Sequence, residues 1–309
     1  MWAAIFKQPE IRAQDHLRRE LLNTLNYEAF YDRVLERSKP SDAERRCLMT
    51  VMRRVYEEMH QHICGDDPQQ TTRAASVCRV FLSRFAGQGR ERGFFFTLNQ
   101  DLFLEHFFGT IDHSMCLPGL HSPRWFNLRL GPNLDPGTRV SLPDDSAVEA
   151  LKVDFWSKRY GNFVYIKLHG SLGWIGRDGA DVMVVGQTKS PLIKQEPLLH
   201  WYLSLFKEVL KQRNVYLVTI GYGFGDSHIN GIIADAIQDR DCNLRLCVVS
   251  PEDIEEFHRK LKGQAPRGHA LWPGLYHYCQ ARPTELYDPQ HVKLPPRGEE
   301  FFRDIDLKK

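Results

Sequence analysis

The sequence has no run of about eighteen apolar residues, the length a membrane-crossing helix requires. Its longest candidate, Asn214 to Ile220, is strand-sized. It has no excess charge of one sign: 41 basic against 39 acidic side chains leave a net +2. That balance gives no electrostatic footprint for nucleic acid, and a local basic pair such as Arg90 and Arg92 reads as a solvated turn. No C-x-x-C spacing occurs among Cys47, Cys64, Cys78, Cys116, Cys242, Cys247 and Cys279, and their number is odd. Structural zinc and a disulfide framework are therefore both poorly supported, and buried free thiols in a reducing compartment explain the cysteines more simply. The absence of a G-x-S-x-G elbow and of a G-x-x-x-x-G-K-[ST] loop argues against a serine hydrolase and a P-loop nucleotidase. Glu105 and His106 do not form H-E-x-x-H, and His60, His62 and His113 show no metal-ligand spacing. The start, Met1-Trp2-Ala3 with charged residues soon after, is not a secretory signal, so a cytoplasmic protein is expected.

What is present is a globular composition: 42% hydrophobic and 11% aromatic over 309 residues. That length suggests one large domain or two small ones, with a sizeable core. Residues 1–90 read as a helical segment. Ile11 to Leu25 and Tyr27 to Leu35 carry apolar residues at helical spacing. Ser41 or Asp42 can cap a third helix through Met59, and a fourth is expected over about Thr71 to Phe85.

The character changes at Gly93, and residues 91–309 read as an α/β core. Phe94 to Thr97 is a short apolar strand, followed by the polar turn Leu98 to Asp101 and a helix from Leu102. Prolines 118, 123, 132, 136 and 143 make residues from about 114 to 160 an irregular insertion, with one helix near Ser146 to Trp156. Phe163 to Leu168 is a second strand, ending in His169-Gly170-Ser171; a hairpin is expected around Asp178-Gly179. Leu198 to Leu210 is an amphipathic helix. Val215 to Ile220 and Leu244 to Val249 are further strands, each followed by a helix. Beyond Gly263 the chain is expected to wrap the core. Continuous apolar strands alternating with helices predict a Rossmann-like, doubly wound parallel sheet with a helical insert.

In such sheets ligands bind at the carboxyl ends of the strands. Asn99 and Asp101, His169, the loop Gly221 to Asp226, and Ser250 all sit at such ends. Each has two readings. The glycine loop lets a backbone approach a phosphate at a helix amino end, or it is a tight strand-to-helix turn. His169 is a general base or a histidine closing its strand. Asn99 and Asp101 bond ribose hydroxyls and position a water, or they cap the helix from Leu102.

Three segments together are specific: Phe96-Thr97-Leu98-Asn99-Gln100-Asp101, Lys167-Leu168-His169-Gly170-Ser171, and Gly221-Tyr222-Gly223-Phe224-Gly225-Asp226-Ser227-His228-Ile229-Asn230. In order and spacing they resemble the sirtuin-like family, and most of all its bacterial anti-phage branch, over about residues 20–260. The resemblance implies an NAD-binding Rossmann-like fold with a helical insert. Its Thr-x-Asn-x-Asp motif falls on Thr97, Asn99 and Asp101, and its His-Gly motif on His169 and Gly170. Its ribose- and phosphate-lining loop falls on Gly221, Tyr222 and Gly223, with Asp226 beyond them, and the strand end near the adenine ribose on Ser250. The implied activity is hydrolysis of NAD to nicotinamide and ADP-ribose, depleting the infected cell. Asn99, His169 and Asp101 are the implied catalytic residues, with NAD as substrate. Implied partners are further copies of the chain and a translocase-type ATPase or Argonaute-like companion.

The sequence departs from the family pattern twice. The paired C-x-x-C zinc module of deacetylating sirtuins is absent, which disfavours deacetylation and a zinc ion. The family's opening strand and Gly-Ala-Gly type loop are not found either, and Met1 to Phe6 resembles the helix that normally follows them. The other functional readings are a non-catalytic NAD- or ADP-ribose-binding scaffold and an NAD-dependent oxidoreductase using the Gly221 loop alone.

Overall fold

Apolar residues spaced three and four apart place one stripe of a helix against its neighbours, and the amino-terminal part of the chain folds accordingly. In a computed structural model, the residues described are 2–24, 27–36, 42–64, 80–87, 92–108, 115–120, 139–157, 163–186, 189–263, 265–286 and 294–305. They begin with five helices: α1 (Trp2–Lys7), α2 (Pro9–Ala13), α3 (Asp15–Leu22), α4 (Tyr27–Glu36) and α5 (Asp42–Cys64). The single helix expected from Ile11 is broken at Gln14, which is extended at φ −109° and ψ 99°. Its side-chain amide donates to Cys47 Sγ at 3.4 Å, so the break is tied to α5. Of the helix expected over 71–85, residues 71–79 lie outside the described residues and 80–83 are helical.

The remaining elements alternate. They are β1 (Gly93–Thr97), α6 (Phe103–Phe108), β2 (Met115–Cys116), β3 (Val140–Ser141), α7 (Asp145–Phe155), β4 (Phe163–Lys167), β5 (Gly170–Ile175) and β6 (Asp181–Met183). Then come α8 (Lys189–Gln195), α9 (Pro197–Leu210), β7 (Tyr216–Ile220), α10 (Ser227–Gln238), β8 (Arg245–Ser250), α11 (Ile254–Gly263), β9 (Leu275–Gln280), α12 (Pro283–Leu286) and α13 (Pro296–Asp304). Within the irregular insertion, residues 121–138 lie outside the described residues. Helix starts follow side-chain chemistry: Asp144 Oδ1 accepts the Ala147 N–H at 2.9 Å to cap α7. Asp253 Oδ1 accepts from Glu255 and Glu256 at the start of α11. The turn expected at Asp178-Gly179 joins the antiparallel pair β5 and β6.

The chain divides into two compact units, one within Met1–Asp67 and Gly87–Trp201, the other within Pro68–Ala86 and Tyr202–Lys309. The first holds a parallel sheet in the order β1-β4-β2 and a second sheet in the order β3-β5-β6. Its amino-terminal helices share one core with the sheet layer: Ile11, Leu17, Leu21, Phe30, Val51 and Val55 pack with Leu172 and Met183 of the strands and with Leu102 and Val185 beside them. Ion pairs Arg53–Asp181 and Lys189–Glu28 fasten α5 and α4 to the same layer.

The second unit holds the parallel sheet β7-β8-β9. The carboxyl-terminal segment therefore does more than wrap the core: Leu275 to Gln280 pairs with β8 as a third parallel strand. Phe81, Phe85 and Phe302 stack edge to face at 5.4–5.5 Å and dock residues 80–86 on α13. Burial on both faces was expected of every strand. It holds for β4 and, apart from its ends, β8, the central strands of their sheets. Strands β1 and β7 stand at sheet edges and are mostly half-buried.

Candidate functional site

Parallel pairing decides which loops meet. In the first unit Thr97 is in register with Lys167, so the turn after β1 and the turn after β4 emerge at the same end. Leu168 N–H donates to Thr97 O at 2.9 Å and extends that pairing by one residue. The chain then turns through Leu168 and His169 and enters β5 at Gly170. Gly170 adopts φ +73° and lies so close to β6 that a Cβ there would stand 2.0 Å from Val182 O. Only glycine fits that turn.

On the β1 side, Thr97 Oγ1 accepts the Asn99 N–H at 3.0 Å, which curls the turn and leaves Asn99 exposed. Asp101 Oδ1 accepts the Phe103 N–H at 2.9 Å and so caps α6. His169 is buried, 2% exposed, and its carbonyl accepts from Val184 N–H at 2.9 Å and from Gln100 Nε2 at 3.4 Å. The structure thus brings Thr97, Asn99, Asp101, His169 and Gly170 together at one sheet end.

Four residues outside that expectation, Gln100, Lys167, Glu105 and Tyr165, support the cluster. Gln100 is buried between the two turns. Lys167, fully buried, donates to Glu105 Oε1 at 2.7 Å and to the carbonyl of Asp101. Tyr165 donates to the other Glu105 oxygen at 3.3 Å. Burial pushes the Glu105 carboxyl above the usual carboxylate range, against the pull of Lys167. On α5, burial lowers the pKa of His60, and the charge of Asp101 opposes that shift.

In the second unit Ile220 is in register with Val249, so the loop after β7 and Ser250 at the end of β8 share an edge. Gly221 adopts φ +67°, where side chains are strained. Among the described residues, a Cβ on Gly223 or Gly225 would meet nothing within 4 Å, and neither residue has positive φ. Protein packing therefore does not explain these two glycines. Between them, Phe224 is buried at φ 57°. Its ring packs 4.6 Å from Tyr222 and 5.3 Å from Phe257.

Asn230, fully buried, fixes the loop: it accepts from Tyr222 OH at 2.8 Å and donates to the carbonyls of Phe224 and Pro266 at 2.8 and 2.9 Å. Burial pushes the Tyr222 hydroxyl far above its ordinary pKa. Asp226 occupies the cap position of α10 without a side-chain capping bond. Ser250 Oγ accepts the Glu252 N–H at 3.3 Å, and the Ser250 carbonyl accepts from Ala281 N–H at 2.9 Å.

Of the cysteines, Cys116, Cys242, Cys247 and Cys279 are buried and free. Burial pushes the Cys116 and Cys247 thiols up to about 12. Among the described residues no helix is long and apolar enough to cross a membrane.

No curated protein matches this sequence. A family model for the SIR2-like domain matches residues 93–265, from the start of β1 to just past α11 and more than half of the chain. That span contains both strand-end clusters, and the chain belongs to the SIR2-like domain family.

Proposed function

We propose that the protein is an NAD glycohydrolase, releasing nicotinamide and leaving ADP-ribose. The SIR2-like family is in general one of NAD-dependent enzymes, which supports NAD as the molecule bound. The observation that carries the finer reading is the exposed Asn99 on the turn after β1 and the buried His169 on the turn after β4, two turns that Gln100 joins by a hydrogen bond at one sheet end. The bond broken is N-glycosidic, with an oxocarbenium-like transition state. Nicotinamide leaves as a neutral molecule, so the leaving group needs no acid. The protein has to hold the ribose, exclude bulk water and direct one water at the anomeric carbon.

In this reading Asn99 holds that water and the ribose. The water oxygen bonds to the anomeric carbon as the carbon–nitrogen bond breaks, and His169 takes the water's proton. Asp101 orients the turn through its bond to Phe103 N–H, and Thr97 shapes it through the bond from Asn99 N–H. Gly170 lets the His169 turn close. Gly221, Tyr222 and Gly223 line the ribose and phosphates, with Asp226 where α10 begins, and Ser250 serves the adenine ribose. The uncrowded backbone at Gly223 and Gly225 suits close approach of a pyrophosphate.

The doubly wound arrangement belongs to the same proposal. So does a setting in cytoplasmic anti-phage defence, in which a homo-oligomer depletes NAD alongside a translocase-type ATPase or Argonaute-like companion, with no zinc and no direct nucleic-acid contact. The test is to incubate the purified chain with NAD and separate the products by chromatography. Nicotinamide with ADP-ribose supports the proposal. Bound NAD without turnover gives the non-catalytic reading, and growth of the reduced-nicotinamide absorbance gives an oxidoreductase; either contradicts the proposal.

A further inference from the structure

We propose that Tyr56 and Gln100 act as a positioning pair that sets the Asn99 turn against His169, so that α5, which precedes the matched family region, belongs to the machinery of the site. The inference rests on the proposed hydrolysis for its kinetic consequence and on geometry for its substance. Gln100 stands between Asn99 and Asp101 yet does what neither does. Asn99 faces outward and Asp101 caps α6. The Gln100 side chain is 4% exposed, and each of its polar atoms is engaged. Its Oε1 accepts from Tyr56 OH at 2.9 Å. Its Nε2 donates to Val184 O at 2.7 Å and to His169 O at 3.4 Å. Its backbone carbonyl accepts from Leu172 N–H at 2.9 Å and from Ser171 Oγ at 3.4 Å.

One residue thus joins α5, the turn after β1, the His169 turn and the strand β5 that follows it. The chemistry restricts the residue type. A carboxamide offers an acceptor on one side and two donors on the other. Glutamate would turn an oxygen toward two carbonyls, and leucine would remove all three side-chain bonds. Buried hydrogen bonds of this length leave little play, and a misplacement of about 1 Å in a reacting pair costs about a hundredfold in rate. Tyr56 fixes the outer end of the amide and is itself buried on α5, 7% exposed.

The experiment compares the full chain with Gln100→Leu and Tyr56→Phe in steady-state NAD turnover and in hydrogen exchange read by mass spectrometry. Gln100→Leu is expected to lower kcat roughly 10- to 100-fold with KM within about twofold, and Tyr56→Phe to lower it by less. Simple loss of folded protein would lower the active fraction, so kcat is normalised to folded protein measured by circular dichroism. Hydrogen exchange is expected to rise together in residues 97–103 and 168–172. Unchanged kcat in a folded Gln100→Leu protein overturns the inference. If that variant does not fold, Tyr56→Phe, which deletes one oxygen, decides by the same criterion. If the wild type does not turn over NAD, the hydrolase reading fails by itself. The positioning pair is then upheld by joint exchange in both segments, and overturned by exchange that rises in only one or in neither.

Discussion

Replacing Lys167 by methionine removes one half of a buried ion pair and leaves the other half in place. Lys167 and Glu105 side chains are 0% and 3% exposed, with Nζ and Oε1 2.7 Å apart. Lys167 also holds the carbonyl of Asp101. Methionine keeps most of the volume, so the loss is electrostatic and hydrogen-bonding rather than a cavity. Removing one partner of a buried pair costs about 3–5 kcal/mol, because the remaining charge is uncompensated. At a urea dependence of about 3 kcal/mol/M, the midpoint falls by roughly 1–1.7 M. The pH dependence sharpens the test. Burial already raises the Glu105 carboxyl, and Lys167 restrains that rise. Without Lys167 the folded-state pKa moves further above the unfolded one. A carboxyl raised in this way contributes stability below its unfolded pKa and loses it as pH rises through the folded pKa. The Lys167→Met deficit is therefore largest near about pH 8 and smaller near about pH 5. Adding Glu105→Leu to Lys167→Met recovers most of the loss. A deficit under about 1 kcal/mol, or one equal at both pH values, would refute the reasoning.

Gly170→Ala places a Cβ 2.0 Å from Val182 O at a residue with φ +73°, so thermal unfolding shifts down by the equivalent of at least about 1–3 kcal/mol; an unchanged midpoint would contradict the turn geometry. Gly223→Ala adds a Cβ that meets nothing within 4 Å, so stability stays within about 0.5 kcal/mol while calorimetry shows weaker NAD binding. Unaltered binding would remove the loop from the nucleotide site. The Cys116 and Cys247 thiols, held up to about 12 by burial, resist an aromatic disulfide reagent until the protein is denatured, and prompt native labelling would show that they are accessible.

Strands β4 and β8 were legible because a central parallel strand is covered on both faces and reads as an unbroken apolar run. Helix α9 was legible from its stripe, and the turns after β1 and β4 from the polar residues that end each apolar run. Strand β9 was not, because Leu275-Tyr276-His277-Tyr278-Cys279-Gln280 mixes polar and aromatic residues, as a strand paired on one side can. The break at Gln14 is accompanied by a contact with Cys47, across 33 positions of chain, that local spacing does not show.

Within the site, Lys167 carried a visible signal, a charge inside an apolar strand that needs a partner. Its partner Glu105 is 62 residues away, and only the fold brings them together. Gln100 lay inside a recognisable motif, but its partners Tyr56 and Val184 are 44 and 84 residues distant. The motif residues follow local spacing, whereas the partners of Lys167 and Gln100 follow tertiary contacts.

The most direct measurement is nicotinamide release by the wild-type chain beside Asn99→Ala. Asn99 is exposed, and the hydrogen bond seen at it comes from its backbone N–H, so the variant should fold as the wild type does. Nicotinamide and ADP-ribose are expected from the wild type, with no release by a folded Asn99→Ala protein. Equal release by both proteins would contradict the assignment of the reacting water to the turn after β1.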